Sequence, residues 1–234
     1  MIKEAIILAG GLGTRLRQAV PDLPKAMAPV LAKPFIGYLI DYFYNQGIQS
    51  FIFSLGYKHE LLEQYLTTQY GNLHIQFSVE KEPLGTGGAV KRACRLATEK
   101  TVLVLNGDTF FKIDLSRLEA FHQMCGAHCT LSLKPMTMVD RYSLIELKED
   151  YSIDRIIQKQ YFENGLINGG AYALHAIKFL QEDLPEQFSF ETDYLEKYLG
   201  SRRFYGVVQD EYFIDIGIPE DFERAQTELM LNIR

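Results

Sequence analysis

Three glycines and two cationic side chains lie close together near the start of the sequence. The glycines directly follow the apolar run 5–8, an arrangement typical of a buried strand that ends in an anion-binding loop. Without side chains, successive backbone N–H groups can approach phosphate oxygens closely. Arg15 adds a forked cation and Lys25 a point charge, which together favour a triphosphate ligand. The residues predicted to bind a nucleotide here are Leu8, Ala9, Gly10, Gly11, Gly13 and Thr14.

Two well-known glycine loops do not fit this stretch. A P-loop ends in Gly-Lys-Ser/Thr, whereas Gly13 is followed by Thr14 and Arg15. A dinucleotide-binding fingerprint would have glycine or alanine in place of Leu16, and an acidic residue about twenty positions later, where 31–34 reads Leu-Ala-Lys-Pro. The remaining alternative is a tight strand-to-helix turn with a solvated arginine.

The order Gly-Gly-x-Gly-Thr-Arg-Leu at 10–16, followed by Pro24 and Lys25, resembles the signature of the sugar-1-phosphate nucleotidyltransferases. These enzymes are also called nucleotide-sugar pyrophosphorylases. The resemblance implies that a nucleoside monophosphate passes from a nucleoside triphosphate to a sugar 1-phosphate. In that reaction Arg15 would hold the leaving pyrophosphate, and Lys25 would stabilise charge near the reacting phosphates.

A second glycine-rich motif, 80–88, follows a predicted strand and opens a predicted helix, where α/β sheets bind ligands. The resemblance implies that this base loop covers the nucleotide base. Guanine offers two adjacent donors that one carboxylate can accept, whereas uracil and thymine offer one donor between two carbonyls. Glu80 or Glu82 therefore favours GTP, and a glycine-rich turn with a capping threonine is the alternative. The predicted nucleotide contacts in this motif are Glu80, Glu82, Pro83, Gly85 and Thr86.

Two aspartates are candidate ligands for Mg²⁺. Asp108 follows the apolar run 101–105, and a hard oxygen donor suits Mg²⁺, which takes one or two protein carboxylates plus substrate phosphates. The resemblance implies a catalytic and metal-binding role for Asp108 and a nucleotide contact at Gly107. It also implies that Asp215, in a late Asp-x-Gly, is the second metal ligand. A turn or N-cap role is the alternative for each aspartate.

A third group of residues is predicted to bind the sugar phosphate. Lys159 follows a predicted strand where relatives carry Glu-Lys, although here Gln158 replaces the glutamate. The resemblance implies that Lys159 binds the phosphate and that 168–170 lies along the sugar. Arg141 and Tyr142 lie in a polar loop that could reach the same ligand. The predicted set is therefore Lys159, Asn168, Gly169, Gly170, Arg141 and Tyr142.

Hydrophobic periodicity predicts the elements that position these residues. Strands and helices alternate as β-α-β-α-β-α-β through 1–115, which predicts a mostly parallel sheet with helices on both faces. The half at 116–234 is mixed. It has predicted strands at 129–133, 143–147, 153–157, 169–174, 204–208 and 212–214, and predicted helices at 115–124, 176–180, 191–199 and from Pro219.

We therefore predict one α/β domain, 1–234, with a Rossmann-like (GT-A-like) nucleotidyltransferase fold. Its mixed, mostly parallel central sheet would be flanked by helices. The nucleotide-binding half would be 1–115, and 116–234 would bind the sugar phosphate and provide the closing helix. Glu191 and Asp193 open a predicted helix, and the helix dipole is enough to explain them.

Composition narrows the functional class. The 234 residues carry a formal net charge of −6 without a basic stripe, so we expect no nucleic acid or membrane partner. No apolar run approaches the roughly 20 residues that a membrane span needs, and the charged start at 2–4 is unlike a signal peptide. The three cysteines are typical of reduced thiols. These features predict a cytoplasmic protein.

Within the family, the short length and the motifs most resemble the bacterial D-glycero-α-D-manno-heptose 1-phosphate guanylyltransferases, which supply GDP-heptose for cell-surface polysaccharide. The resemblance implies GTP and a sugar 1-phosphate as substrates, and makes a homo-oligomer an expectation. Mannose 1-phosphate, or UTP, CTP or dTTP, remain alternative substrates. A glycosyltransferase is a rival class, although Asp108 lacks the Asp-x-Asp pattern. A non-catalytic nucleotide sensor is a second rival class.

Overall fold

The computed structural model describes residues 1–11, 13–16 and 19–233, so Leu12 of the glycine loop lies outside the described residues. The first half has the predicted alternation of strands and helices. A 3₁₀ turn at Lys25–Met27 and a small two-stranded ladder are additions to that pattern. The elements are β1 (Glu4–Leu8), β2 (Pro29–Val30), β3 (Lys33–Pro34), α1 (Phe35–Asn45), β4 (Ser50–Leu55), α2 (His59–Tyr70), β5 (His74–Val79), α3 (Gly85–Cys94) and β6 (Thr101–Asn106).

The second half combines long antiparallel strands with short helices. A π-helix at Phe190–Glu196 precedes its last strands. Within the described residues, no helix is both long and apolar enough to cross a membrane. The elements are β7 (Thr109–Phe111), α4 (Leu115–Met124), β8 (Cys129–Val139), β9 (Leu144–Leu147), β10 (Ile153–Ile157), β11 (Phe162–His175), α5 (Ala176–Leu180), β12 (Phe204–Val208), β13 (Phe213–Asp215) and α6 (Pro219–Asn232).

One sheet spans both halves. Strands β6, β1, β4 and β5 are parallel neighbours, and Ile6 of β1 pairs with Ile52 on one side and Val104 on the other. Strand β11 pairs antiparallel with the other side of β6, and also with β8 and β9. Strand β12 pairs with β8, and β10 pairs with β9. The predicted α/β fold, with a mixed central sheet flanked by helices, is confirmed.

A separate two-stranded ladder brings Asp215 close to Asp108, the other predicted metal ligand. Strand β13 pairs antiparallel with β7, so Asp215 lies opposite Thr109. The Ile216 N–H also donates a hydrogen bond of 3.0 Å to the carbonyl of Asp108. Residues far apart in sequence are thereby fixed side by side.

The sheet divides the core into two layers. Along β1, Ala5 and Ile7 pack on the face covered by α1, whereas Ile6 packs on the opposite face with residues of α3 and the π-helix. This division follows from the two-residue period of a strand. On the second face Phe179 and Tyr194 meet edge to face with centroids 4.6 Å apart, and neighbouring aromatic rings surround them. Many of the aromatic residues therefore form the core.

Strand β11 is much longer than predicted. It begins at Phe162, not Gly169, because the residues from Phe162 onward pair with an equally extended part of β8. Glu163 and Asn164 in this part are exposed and polar, so they give no apolar signal. The register shifts between Asn168 and Tyr172, which bends the strand beside the site. Hydrophobic periodicity detects only the buried part of such a strand.

The helix predicted at 191–199 is a π-helix over Phe190–Glu196. Its wider winding appears in the Lys197 N–H, which donates to the Thr192 carbonyl five residues earlier. The Ser189 hydroxyl caps the start by accepting from the Thr192 N–H at 3.2 Å. Apolar spacing predicts a helix here, but it does not distinguish this winding from an α-helix.

Candidate functional site

The glycine loop is anchored between the ends of parallel strands. The Ala9 N–H donates to the Ser54 carbonyl at 2.8 Å, and the Gly107 N–H donates to the Leu8 carbonyl at 2.9 Å. The carboxyl ends of β1, β4 and β6 therefore converge, as expected for a ligand site in a parallel sheet. They form the floor of a cavity of about 570 Å³.

Most of the predicted nucleotide contacts line this nucleotide cavity. Gly11 is open to it, because a Cβ added there would meet no atom within 4 Å. Two predicted residues, Gly13 and Thr14, line neither cavity of the described chain, and Gly13 instead packs against the Lys25 stem. The predicted residues in the wall are Leu8, Ala9, Gly10, Gly11, Lys25, Glu80, Glu82, Pro83, Gly85, Thr86, Gly107 and Asp108.

The two candidate base-reading acids differ in how firmly they are held. Glu80 is half-buried and accepts hydrogen bonds from the Ser54 hydroxyl at 3.2 Å and the Leu84 N–H at 2.9 Å. Glu82 is exposed at the cavity rim. Glu80 therefore offers a carboxylate of fixed orientation, whose further lone pairs can accept from a ligand.

The glycines of the base loop have a packing role that the sequence motif did not indicate. Gly85 has a φ of +73°, and a Cβ there would lie 2.5 Å from the Phe188 carbonyl oxygen. A Cβ on Gly87 would lie 2.2 Å from the Phe188 ring, and the Gly87 N–H donates to the Phe188 carbonyl at 3.0 Å. The base loop therefore closes directly onto the backbone before the π-helix.

Gly85→Ala is expected to lower the free energy of unfolding by about 2–4 kcal/mol, measured by urea denaturation. Left-handed backbone costs a non-glycine residue about 1–3 kcal/mol, and the new Cβ would displace the Phe188 carbonyl. Gly200→Ala is the matched control, because Gly200 has a φ of +80° but no atom within 4 Å of a Cβ. It should lose only about 1 kcal/mol. Equal losses for the two variants would contradict the packing role.

Lys25 lies between the two aspartates predicted to bind Mg²⁺. Its ammonium forms an ion pair with Asp108, and its Nζ lies 3.5 Å from Asp215 Oδ1. The Gly217 N–H donates to the same Asp215 oxygen at 2.7 Å. Burial and the nearby negative charge of Asp108 raise the pKa of Asp215, while the Lys25 cation opposes that rise. The two carboxylates thus share one electrostatic environment.

This donor set fits Mg²⁺. Both side chains offer hard carboxylate oxygens, and Mg²⁺ completes its octahedron with water and substrate phosphates. In the described part of the chain, no cluster of three His, Cys, Asp or Glu side chains is arranged to hold a metal. A Mg²⁺ ion held by the two carboxylates of Asp108 and Asp215 would have four of its six positions left for water and substrate oxygens if each carboxylate supplies one oxygen.

A second cavity, of about 350 Å³, adjoins the first, and we name it the sugar-phosphate cavity after the ligand predicted for its lining residues. Arg15 lies in this cavity and not in the nucleotide cavity. Gln158 lines it and donates to Glu196 at 2.5 Å. The wall contains every residue predicted to bind the sugar phosphate, together with one metal candidate: Arg141, Tyr142, Lys159, Asn168, Gly169, Gly170 and Asp215.

Helix α6 positions the arginine of this cavity. The Arg141 Nη2 donates to Asp221 Oδ2 at 2.6 Å, and the Asp221 side chain is only 8% exposed. The other Asp221 oxygen accepts from Arg224 at 2.9 Å. Because its carboxylate partner is fixed in α6, Arg141 can present its remaining N–H groups to an anion.

Several residues that line the two cavities were not predicted from the sequence. Glu191 was attributed to the helix dipole, but it lines both cavities and accepts from the Thr86 hydroxyl at 2.9 Å. Asn106 also lines both, and its place at the end of a buried strand was a usable signal. Lys81 and Tyr57 line the nucleotide cavity. No periodicity places Glu191 beside a loop more than a hundred residues earlier in the chain.

Comparison with known proteins identifies relatives along almost the whole chain. A family model described as nucleotidyl transferase matches residues 4–231. A D-glycero-alpha-D-manno-heptose 1-phosphate guanylyltransferase from Aneurinibacillus thermoaerophilus is 48% identical over 226 residues, 97% of this chain and 98% of the relative. A protein of the same name from Campylobacter jejuni is 41% identical over 219 residues, 94% of this chain and 96% of the relative.

A similar solved structure is HddC from Yersinia pseudotuberculosis. It matches with a TM-score of 0.88 and 35% sequence identity, over 97% of this chain and 100% of that chain. A second structure of that protein contains GMP-PN, with the same TM-score and identity.

Proposed function

The chain belongs to the nucleotidyl transferase family, and we propose that it transfers GMP from GTP to D-glycero-α-D-manno-heptose 1-phosphate. The products are GDP-heptose and pyrophosphate. The proposal rests on the position of Lys25 between two adjoining cavities. Lys25 and Asp108 line the nucleotide cavity, Asp215 lines the sugar-phosphate cavity, and the Lys25 ammonium contacts both carboxylates.

Guanine is the base that the nucleotide cavity favours. The fixed carboxylate of Glu80 faces the same cavity as the glycine loop and can accept from the N1–H and the exocyclic amine of guanine. The carbonyls of uracil or thymine would meet this negative charge unfavourably. The solved complex of HddC with GMP-PN supports the same assignment.

Three cations suit the sugar-phosphate cavity to an anionic ligand. Arg15, Arg141 and Lys159 line it, and the Asp221 partner fixes the orientation of Arg141. They would hold the phosphate of the sugar close to a second, more highly charged substrate. The names of the relatives at 48% and 41% identity support a heptose 1-phosphate as that ligand.

The reaction is an in-line displacement in which positioning and charge neutralisation dominate. Asp108 and Asp215 would hold Mg²⁺, which supplies neutralisation of phosphate oxygens when it is bound. The Lys25 ammonium stabilises negative charge that develops between the two substrates. The open backbone at Gly11 leaves room for the phosphates, and Arg15 neutralises phosphate charge from the wall of the sugar-phosphate cavity.

The setting of the reaction is part of the same proposal. GDP-heptose made in the cytoplasm would supply cell-surface polysaccharide, as the sequence resemblance implies. The enzyme would also self-associate into a homo-oligomer. Size-exclusion chromatography with light scattering tests this last point, and a monomer at micromolar concentration would contradict it.

The proposed reaction is tested by initial rates of pyrophosphate release with Mg²⁺. GTP, ATP, CTP, UTP and dTTP are each paired with heptose 1-phosphate, and GTP is then paired with mannose 1-phosphate. We expect the highest kcat/KM for GTP with the heptose, and no release in EDTA. A higher kcat/KM with mannose 1-phosphate would overturn the sugar assignment. A pyrimidine triphosphate as best substrate would overturn the role of Glu80.

A further inference from the structure

The base loop is joined to the second half by a continuous set of backbone contacts. The Phe188 N–H donates to the Leu84 carbonyl at 3.0 Å, and the Phe188 carbonyl accepts from the N–H groups of Gly87 and Gly88 at 3.0 and 3.3 Å. The wall of the nucleotide cavity is thus seated on the segment that leads into the π-helix. The base loop is therefore in direct contact with the start of that helix.

The side chain of Thr86 adds a polar bridge at the end of this contact. Its hydroxyl accepts from the Phe190 N–H at 2.9 Å and donates to Glu191 Oε2 at 2.9 Å. The same Glu191 oxygen accepts from the Ser189 hydroxyl at 3.3 Å. The Thr86 hydroxyl satisfies a helix N–H and the Glu191 carboxylate together, so one rotamer serves both contacts.

Glu191 contacts the base loop and also faces both cavities. It is half-buried and lines the nucleotide and the sugar-phosphate cavities alike. Tyr172 lies close enough for the Glu191 charge to add to the effect of burial in raising the pKa of its phenol. The Tyr172 hydroxyl accepts from Asn168 Nδ2 at 2.7 Å, and Asn168 lines the sugar-phosphate cavity. A polar chain thus runs from the base loop to the sugar side.

We propose that Glu191 is a positioning residue that links binding in the nucleotide cavity to binding in the sugar-phosphate cavity. A base seated under the base loop holds Thr86 against Glu191, which fixes the carboxylate that sugar hydroxyls meet on the other side. Coupling of this kind is reciprocal, so each ligand increases the affinity of the other by the same factor. The inference rests on the proposed function, because it takes the two cavities as the two substrate sites.

Isothermal titration calorimetry with Mg²⁺ tests the link. The probes are an α,β-methylene GTP analogue, which resists transfer, and D-glycero-α-D-manno-heptose 1-phosphate, each titrated alone and with the other at saturation. In the wild type we expect each ligand to lower the Kd of the other about fivefold or more. In Glu191→Gln and Thr86→Val the factor should fall below about twofold. The double variant should lose nothing further, since the two residues act as one unit.

Asp193→Asn is the matched control. Asp193 belongs to the same π-helix and accepts from the Ser189 N–H at 2.7 Å, but it lines neither cavity of the described residues. It should retain the wild-type factor. Linkage that persists in Glu191→Gln, or that is absent from a wild type that binds both ligands, would overturn the inference and leave the proposed function standing. A wild type that binds neither ligand would overturn both.

Discussion

Lys25→Met is expected to lower kcat by about 10²- to 10³-fold, the usual loss when a preorganised donor to developing charge is removed. The Lys25 ammonium contacts Asp108 and Asp215, and its side chain is only 15% exposed. No water molecule can supply a fixed positive charge in its place. Steady-state pyrophosphate release at saturating substrates measures the effect, and circular dichroism checks that the variant is folded.

Lys81→Met controls for the loss of a lysine from the same cavity. Lys81 lines the nucleotide cavity but is exposed, and water screens its charge. We expect its kcat to stay within about threefold of the wild type. A Lys25→Met enzyme that keeps more than a tenth of the wild-type kcat would contradict the role given to this residue.

Asp108→Asn is expected to lower kcat about 10³-fold and to raise the Mg²⁺ concentration for half-maximal rate about tenfold or more. Tenfold in rate corresponds to about 1.4 kcal/mol, so the loss equals about 4 kcal/mol of transition-state stabilisation. An amide of the same shape removes the charge that pairs with Lys25 and would bind the metal. The rate is measured as a function of Mg²⁺ concentration, because a merely structural role would leave that dependence unchanged.

Asp210→Asn provides the control for loss of an aspartate charge. Asp210 pairs with Lys134 at 2.5 Å on the surface, and its side chain is 73% exposed. Exposed pairs contribute little, so we expect the same Mg²⁺ dependence as the wild type. An unchanged Mg²⁺ dependence in Asp108→Asn would remove Asp108 from the metal site.

The nucleotide half of the site was predictable because its signals are local. The apolar run of β1 leads into Gly10 and Gly11, and both line the nucleotide cavity as expected. Lys25 and Glu80 were found through their place beside such motifs. Arg15 was assigned to the leaving pyrophosphate, and the structure places it in the wall of the sugar-phosphate cavity. Sequence gives the residue type here, but not the direction in which a loop side chain points.

The rest of the site depends on contacts between distant segments. Asp215 meets Lys25 because β13 pairs with β7, and the strand predicted at 212–214 carries no signal for which strand it pairs with. Glu191 reaches Thr86 because the π-helix packs on the base loop. The sequence shows a glycine at position 85, but it does not show that the Phe188 carbonyl lies too close to Gly85 for any side chain to fit. Tertiary packing decides such positions.

Transfer of GMP from GTP to D-glycero-α-D-manno-heptose 1-phosphate can be followed directly by ³¹P NMR of the wild-type protein with both substrates and Mg²⁺. Both substrate signals should decrease together, while GDP-heptose and pyrophosphate form in equal amounts. EDTA should stop the conversion, and added pyrophosphate should reverse it. Unchanged levels of both substrates in the presence of folded, nucleotide-binding protein would contradict guanylyl transfer and favour a nucleotide sensor.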